Sequence, residues 1–167
     1  AMIEVASLPI LIDDSASTTA GEIRSHVLRH STRMGEAPAL VVVDHIGLVS
    51  SQGATNGKTE ALRIGEISRA MKILAKEAQC PIVILSQLNR EVEKADRKPI
   101  LSDLRDSGCL EQDADIVMFI HRKPKPQMPG GEPDRSASLI ISKHRDGELA
   151  EIQMEFQGGY CRYEEAP

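Results

Sequence analysis

Ala-Leu-Val-Val-Val-Asp-His-Ile-Gly-Leu-Val, residues 39–49, is the stretch on which the reading of this chain turns. Leu40 and three consecutive valines run straight into Asp44. A continuous apolar run of this kind suits a strand buried on both faces, as in a parallel sheet covered by helices. An Asp at the exit of such a strand sits where open α/β sheets bind ligands. In ATPases a carboxylate at that place holds Mg²⁺, directly or through water, beside the nucleotide phosphates. A buried strand that merely ends in a turn-forming Asp has the same local pattern, so the other strand ends must be read with it.

Downstream, a polar loop over 50–58 precedes a predicted helix from Glu60 to Ala78. Leu62, Ile67, Met71, Leu74, Ala75 and Ala78 form its apolar stripe, with Glu66, Arg69, Lys72, Lys76 and Glu77 on the wet face. Pro81 opens a second apolar strand, Ile82 to Leu85, which exits into Ser86-Gln87-Leu88-Asn89-Arg90. Residues 91–99 are charged, and Ser102 is placed to cap a short helix that Gly108 interrupts. A third buried strand is expected from Ile116 to Ile120. Residues 123–135 hold four Pro and two Gly and read as a flexible surface loop. Ser138 to Ser142 forms a further strand leading to Lys143-His144-Arg145, and Asp146-Gly147 signals a two-residue hairpin. Ile152, Met154 and Phe156 alternate on the return, and Gly158-Gly159 turns into a last short strand at Cys161 to Tyr163.

Upstream, Leu8 to Ile12 reads as a short strand closed by Asp13 and Asp14 in a cap or turn. Thr19 and Glu22 have capping-box spacing, which predicts a helix from about Ala20 with Ile23, Val27 and Leu28 on its inner face. Gly35 should stop that helix. The sum is an α/β domain spanning 1–167, with a mostly parallel sheet flanked by helices and an antiparallel C-terminal hairpin edge.

Composition narrows the function classes. With 167 residues, 41% hydrophobic and 27% charged, the chain can bury a core without staples. Aromatics make up only 2%, which argues against base-stacking platforms. A net charge of −5 argues against a broadly basic surface, while leaving room for a local patch or a ring-shaped assembly. Cys80, Cys109 and Cys161 have neither disulfide nor zinc spacing, which fits a reducing cytoplasm. No apolar run is long enough to cross a bilayer, so no membrane partner is expected. Ala1-Met2 reads as a cloning remnant, and the early apolar stretch suggests a piece of a longer protein.

The loop Gly53-Ala54-Thr55-Asn56-Gly57-Lys58-Thr59 imitates a phosphate-binding loop. A P-loop needs four residues between its glycines so that successive N–H groups wrap the phosphates. Here there are three. No other stretch has the Gly-x-x-x-x-Gly-Lys-[Ser/Thr] form.

In order, the strand ends carry a signature. Val-Val-Val-Asp44 is followed by the helix at 66–77 and by Pro81-Ile-Val-Ile-Leu-Ser-Gln-Leu-Asn-Arg90. Ser102-Asp-Leu-Arg-Asp-Ser-Gly108, Glu111-Gln-Asp-Ala-Asp115 and Lys143-His-Arg-Asp-Gly147 complete it. Together they resemble the C-terminal motor domain of DnaB-type replicative helicases, a RecA-like P-loop NTPase core, over nearly the whole chain. The resemblance implies ATP and Mg²⁺ as cofactors, single-stranded DNA as substrate, a homo-hexamer, and primase and a helicase loader as possible partners.

By position, the resemblance makes Asp44 the Walker B aspartate that organises Mg²⁺, through water. Gln87 becomes the sensor of the γ-phosphate; a neutral amide can donate to phosphate and accept from water without titrating. Lys143 and Arg145 become the basic pair that reaches the neighbouring subunit's nucleotide. Arg105, Asp106 and Gly108 fall in the loop that grips the DNA backbone, and 50–58 in another channel-facing loop. Such backbone contacts carry no base information.

The chain departs from the family in having Asp106 in place of a Glu, and His45 and Gly47 after the Asp, a His-Ile-Gly version that occurs among phage-like relatives. The P-loop and the water-activating glutamate of the family lie upstream of this sequence, so the chain alone is expected to be inactive. Plainer readings stand beside these: Gln87 as a polar strand cap, Lys143 and Arg145 as solvated edge charges, Arg105 as an ion-pair partner of Asp103 or Asp106. His45 fits a turn better than a metal site. A RecA-like recombination or repair ATPase, and a non-catalytic assembly module, are the alternative functions.

Overall fold

The computed structural model describes residues 8–50, 59–89, 92, 97–104, 108–122 and 135–166. Its elements in chain order are β1 (Thr18–Thr19), α1 (Ala20–Met34), β2 (Val41–Val43), β3 (Val49–Ser50), α2 (Glu60–Ala78), β4 (Ile82–Ile84), α3 (Gly108–Asp113), β5 (Ile116–His121), β6 (Ser136–His144), β7 (Ala150–Gln157) and β8 (Arg162–Glu165). Short 3₁₀ turns cover Ile46–Leu48 and Leu101–Asp103.

The α1 boundaries follow local chemistry. Thr19 Oγ1 accepts from Glu22 N at 3.3 Å, and Thr19 N donates to Glu22 Oε2 at 2.7 Å. Two otherwise orphaned N–H groups are thereby satisfied. At the other end Gly35 takes φ 77°, a left-handed conformation natural to glycine, and its N–H closes on Ser31 O at 2.9 Å. α2 starts at Thr59, whose side chain accepts from Leu62 N. Its buried stripe is Ile64, Ile67, Met71, Leu74 and Ala78. Leu62, expected in that stripe, is exposed, and Ile64 takes its place on the inner face. A Cβ on Gly65 would come within 2.9 Å of Cys109 Sγ, so the glycine lets α3 lie close against α2.

Among the described residues, strand pairing forms three hydrogen-bonded sheets: β1 with β3 in parallel, β2 with β4 in parallel, and the antiparallel order β5-β6-β7-β8. The α/β architecture is present, and its antiparallel part is larger than the sequence reading expected. Val43, Ile46, Leu74 and Met71 sit in one apolar core with Val27 of α1 and Leu110 of α3. That core covers one face only. Val42 and Val83, partners in register, are 56% and 38% exposed on the other face. β5 likewise buries Val117 and Phe119 while exposing Ile116, Met118 and Ile120. Among the described residues, α1, α2 and α3 all contribute to the core on the face that carries Val43.

Other expectations shift for stated reasons. Leu8 to Ile12 is not a strand; its residues have no ladder partner among the described residues, and Ile12 is 85% exposed. Asp13 makes the expected turn, accepting from Ser15 N at 3.0 Å. Ser102 does not cap a helix: it lies inside a 3₁₀ turn whose closing acceptor is Asp103, bonded by Ile100 N at 2.8 Å. Gly108 opens α3 instead of breaking a helix. The β6–β7 hairpin exists, but its loop covers 145–149 and is longer than the Asp146-Gly147 signal implied. On one edge the end of β6 pairs with β5, with His144 opposite Ile116; on the other edge the β7 ladder begins at Ile141↔Ala150. The loop at 51–58 and residues 123–134 lie outside the described residues.

Leu74 is fully buried at 0% exposure. Leu74→Ala should lower stability by about 3 kcal/mol through lost burial and a residual cavity, read as a shifted midpoint in urea unfolding.

Candidate functional site

β2 and β4 run parallel with Val43 opposite Ile84, so Asp44 and Gln87 leave the sheet at the same carboxyl edge. Leu85 N donates to Val43 O at 2.9 Å, and Ile46 N donates to Leu85 O at 3.0 Å, which carries the pairing past both strand ends. Asp44 and Gln87 are exposed, and their side chains have no hydrogen-bond or ion-pair partner among the described residues. A strand-terminating Asp normally spends its carboxylate on a nearby backbone N–H. This one does not. The peptide between Asp44 and His45 is cis. The His45 ring lies over Gly47, where a Cβ would meet Nε2 at 3.0 Å, so His45 packs into the turn.

Arg63 of α2 holds that turn from behind. It donates to Gly47 O at 3.0 Å and to Val49 O, while Glu60 keeps the guanidinium charged and raises its pKa. No local spacing in the sequence signals this residue; its acceptors lie 14 and 16 positions away.

A second corner collects the basic residues. Lys143, half-buried in β6, donates from Nζ to Glu111 O of α3. Arg145, just beyond β6, donates from its backbone N to Asp115 O at 2.9 Å, and its NH1 pairs with Asp115 Oδ1 at 2.9 Å. Lys72 of α2 takes Asp115 Oδ2. Lys72 was expected on the wet face, yet its side chain is only 18% exposed because it reaches this carboxylate. The Lys72 hydrogen bond, then the charges of Lys72, Arg145 and Lys143, hold the Asp115 carboxyl below its ordinary range against the opposing effect of burial. Alongside, Asp113 accepts from Ser68 Oγ at 3.0 Å and pairs with Arg69 at 3.2 Å. Lys143 and Arg145 thus converge on one corner, and among the described residues neither touches Asp44 or Gln87.

Arg105 and Asp106, expected to contact DNA, lie outside the described residues; Gly108 is exposed at the start of α3. The segment leading to them is braced. Both oxygens of Asp103, 7% exposed, are taken by the Arg97 fork at 2.6 and 2.7 Å. Asp103 is thus paired by Arg97; the pairing considered for Arg105 lies outside the described residues. Asn89 N donates to Asp103 O at 3.1 Å, and Leu88 bridges Leu104 antiparallel, so this turn is tied to the strand end that carries Gln87.

The family model for the DnaB-like helicase C-terminal domain matches residues 1–165. This chain belongs to that family. It is 42% identical over 159 residues to the replicative DNA helicase DnaB of Leifsonia xyli, covering 93% of this chain and 33% of that protein. Against the DnaB of Pasteurella multocida it is 40% identical over 156 residues, 93% of this chain and 32% of that one. The chain thus spans about a third of the length of these relatives. Among solved structures, a DnaB-like replicative helicase described with its primase interactions superposes with a TM-score of 0.85 at 31% identity, over 97% of this chain and 38% of that one. A second solved structure, an ATPase domain, gives 0.83 at 32% identity, over 99% of this chain and 58% of that one. The RecA-like core anticipated from the motif order is the fold these neighbours share with the chain.

Near the brace, Lys98 Nζ donates to Glu151 of β7 at 2.6 and 2.7 Å. Lys98 first, then Ser138 and Gln153, lower the Glu151 pKa from 4.5 to about 2. A depressed carboxylate contributes stability that is present above its unfolded value and lost as pH falls through the folded one. The tie between 97–104 and β7 should therefore weaken between pH 4.5 and about 2. A carboxyl titration followed by NMR should place the Glu151 midpoint near 2, and Lys98→Met should return it toward 4.5.

Proposed function

We propose that the protein carrying this chain is an ATP-driven, hexameric replicative DNA helicase, and that the chain forms part of its motor. The observation that carries this reading is that Asp44 and Gln87, which have no partner among the described residues, leave neighbouring parallel strands at one edge. The DnaB family membership supplies the reaction they would serve. A single free carboxylate fits Mg²⁺, which keeps several waters and takes one or two carboxylates plus substrate phosphates. In this reading Asp44 would hold Mg²⁺ through its waters, and the metal would supply charge neutralisation at the phosphates of ATP. Gln87 reports the γ-phosphate by hydrogen bonding.

Lys143 and Arg145 act on the nucleotide of the neighbouring subunit, where the planar guanidinium of Arg145 can bridge phosphate oxygens as charge develops. Arg105, Asp106 and Gly108 hold the single-stranded DNA backbone in the ring. The tie from Leu88 and Asn89 to Asp103 and Leu104 supports a path from nucleotide state to that loop. Primase and a helicase loader are the partners this role calls for, and the bacterial cytoplasm is where it acts.

In the full-length protein, Arg145→Ala should lower ATP turnover at least about a hundredfold while leaving ATP binding within about twofold, since such arginines act in the transition state. Retained DNA-stimulated turnover refutes the role. The isolated 167-residue chain, which contains no Gly-x-x-x-x-Gly-Lys-[Ser/Thr], should show no steady ATP hydrolysis; measurable turnover refutes that part of the proposal.

A further inference from the structure

The Asp115 corner carries one step more. We infer that Asp115, loaded from behind by Lys72, is the positioning residue that aims Arg145 outward with most of its donors free. The inference rests on the reading of Arg145 as the residue that reaches a neighbouring subunit's nucleotide.

Three observations support it. First, Arg145 is gripped twice by one residue, its backbone N on Asp115 O and its NH1 on Asp115 Oδ1, both at 2.9 Å. The first contact fixes where the side chain begins and the second fixes which way it leaves. Second, Lys72 occupies Oδ2. An unshared carboxylate would close on a guanidinium as a bidentate fork and use up one whole edge of it. With Oδ2 committed to Lys72, Asp115 meets Arg145 through an ion pair of Oδ1 with NH1, which leaves donors of the guanidinium for phosphate oxygens. Third, the Asp115–Arg145 pair is half exposed, at 54% and 52%, so it contributes little to folding stability. A pair of this kind does more by holding a long, flexible side chain near its working direction before the neighbour arrives.

Lys72 is half of the device. It comes from α2, whose buried stripe also packs against the β2–β4 pair that ends in Asp44 and Gln87. The helix that backs the nucleotide edge of one subunit therefore also loads the carboxylate that directs Arg145 toward the next.

The test is made in the full-length protein with saturating oligothymidylate, by steady-state ATP hydrolysis. Asp115→Asn should lower kcat about tenfold with KM for ATP within about twofold, and Asp115→Glu should recover most of that loss. The same Asp115→Asn placed on Arg145→Lys should cost less than about twofold more, because a residue acting only through Arg145 has nothing further to lose. Lys72→Met, which frees Oδ2, should lower kcat about threefold and gives a second measurement if Asp115→Asn does not fold. Unchanged kcat in Asp115→Asn, while Arg145→Ala abolishes turnover, overturns the positioning role. An equal loss on the Arg145→Lys background overturns it too, by showing a structural effect. Full turnover in Arg145→Ala overturns the trans-acting reading itself, and this inference with it.

Discussion

Burial of the α2 stripe against the β2–β4 pair is the constraint on which the rest depends. Leu74 and Met71 are almost wholly removed from water, and they pack with Val43 and Ile46 around the exit of β2. Burial at this scale contributes several kcal/mol even from two side chains. It holds two parallel strands whose ladder is only three residue pairs long. A ladder that short is marginal alone. With the helix behind it, the carboxyl edge becomes a rigid platform for Asp44 and Gln87.

The platform is refined by polar contacts that local sequence cannot announce. Arg63 satisfies the carbonyls of the turn after Asp44, which would otherwise face the helix unpaired. Arg97 and Ile100 N take up the carboxylate of Asp103, so a nearly buried charge is fully paired. The Leu88–Leu104 bridge then joins that braced turn to the strand carrying Gln87. These contacts keep the strand ends in register with one another.

The antiparallel sheet has a different basis. Phe156 and Tyr163 sit with ring centroids 4.8 Å apart, and the Arg122 guanidinium lies 4.3 Å over the Phe156 ring. These contacts hold β7 and β8 to the end of β5 on the sheet's outer part. The inner end is held by charge, through Lys143 on Glu111 O and Arg145 on Asp115. The C-terminal end of β6 is thus tied to α3 and to Asp115 through Lys143 and Arg145.

Both helix starts, the stop at Gly35 and the Glu60–Ala78 span were determined by the sequence itself, because capping and helical periodicity are local properties. So was the family, through the order of Asp44, Gln87, Lys143 and Arg145 along the chain. Tertiary structure alone decided which sheet face is covered, since apolar runs such as Val41–Val43 read the same whether one side or both are packed. It alone revealed the contacts of Arg63, Lys72 and Asp115, because each finds a partner 14 or more positions away. It also lengthened the 145–149 loop against the Asp146-Gly147 signal, since the β7 ladder begins at Ile141↔Ala150. Spacing in sequence specifies neighbours along a helix or strand; which distant groups share a carboxylate is settled only when the elements pack.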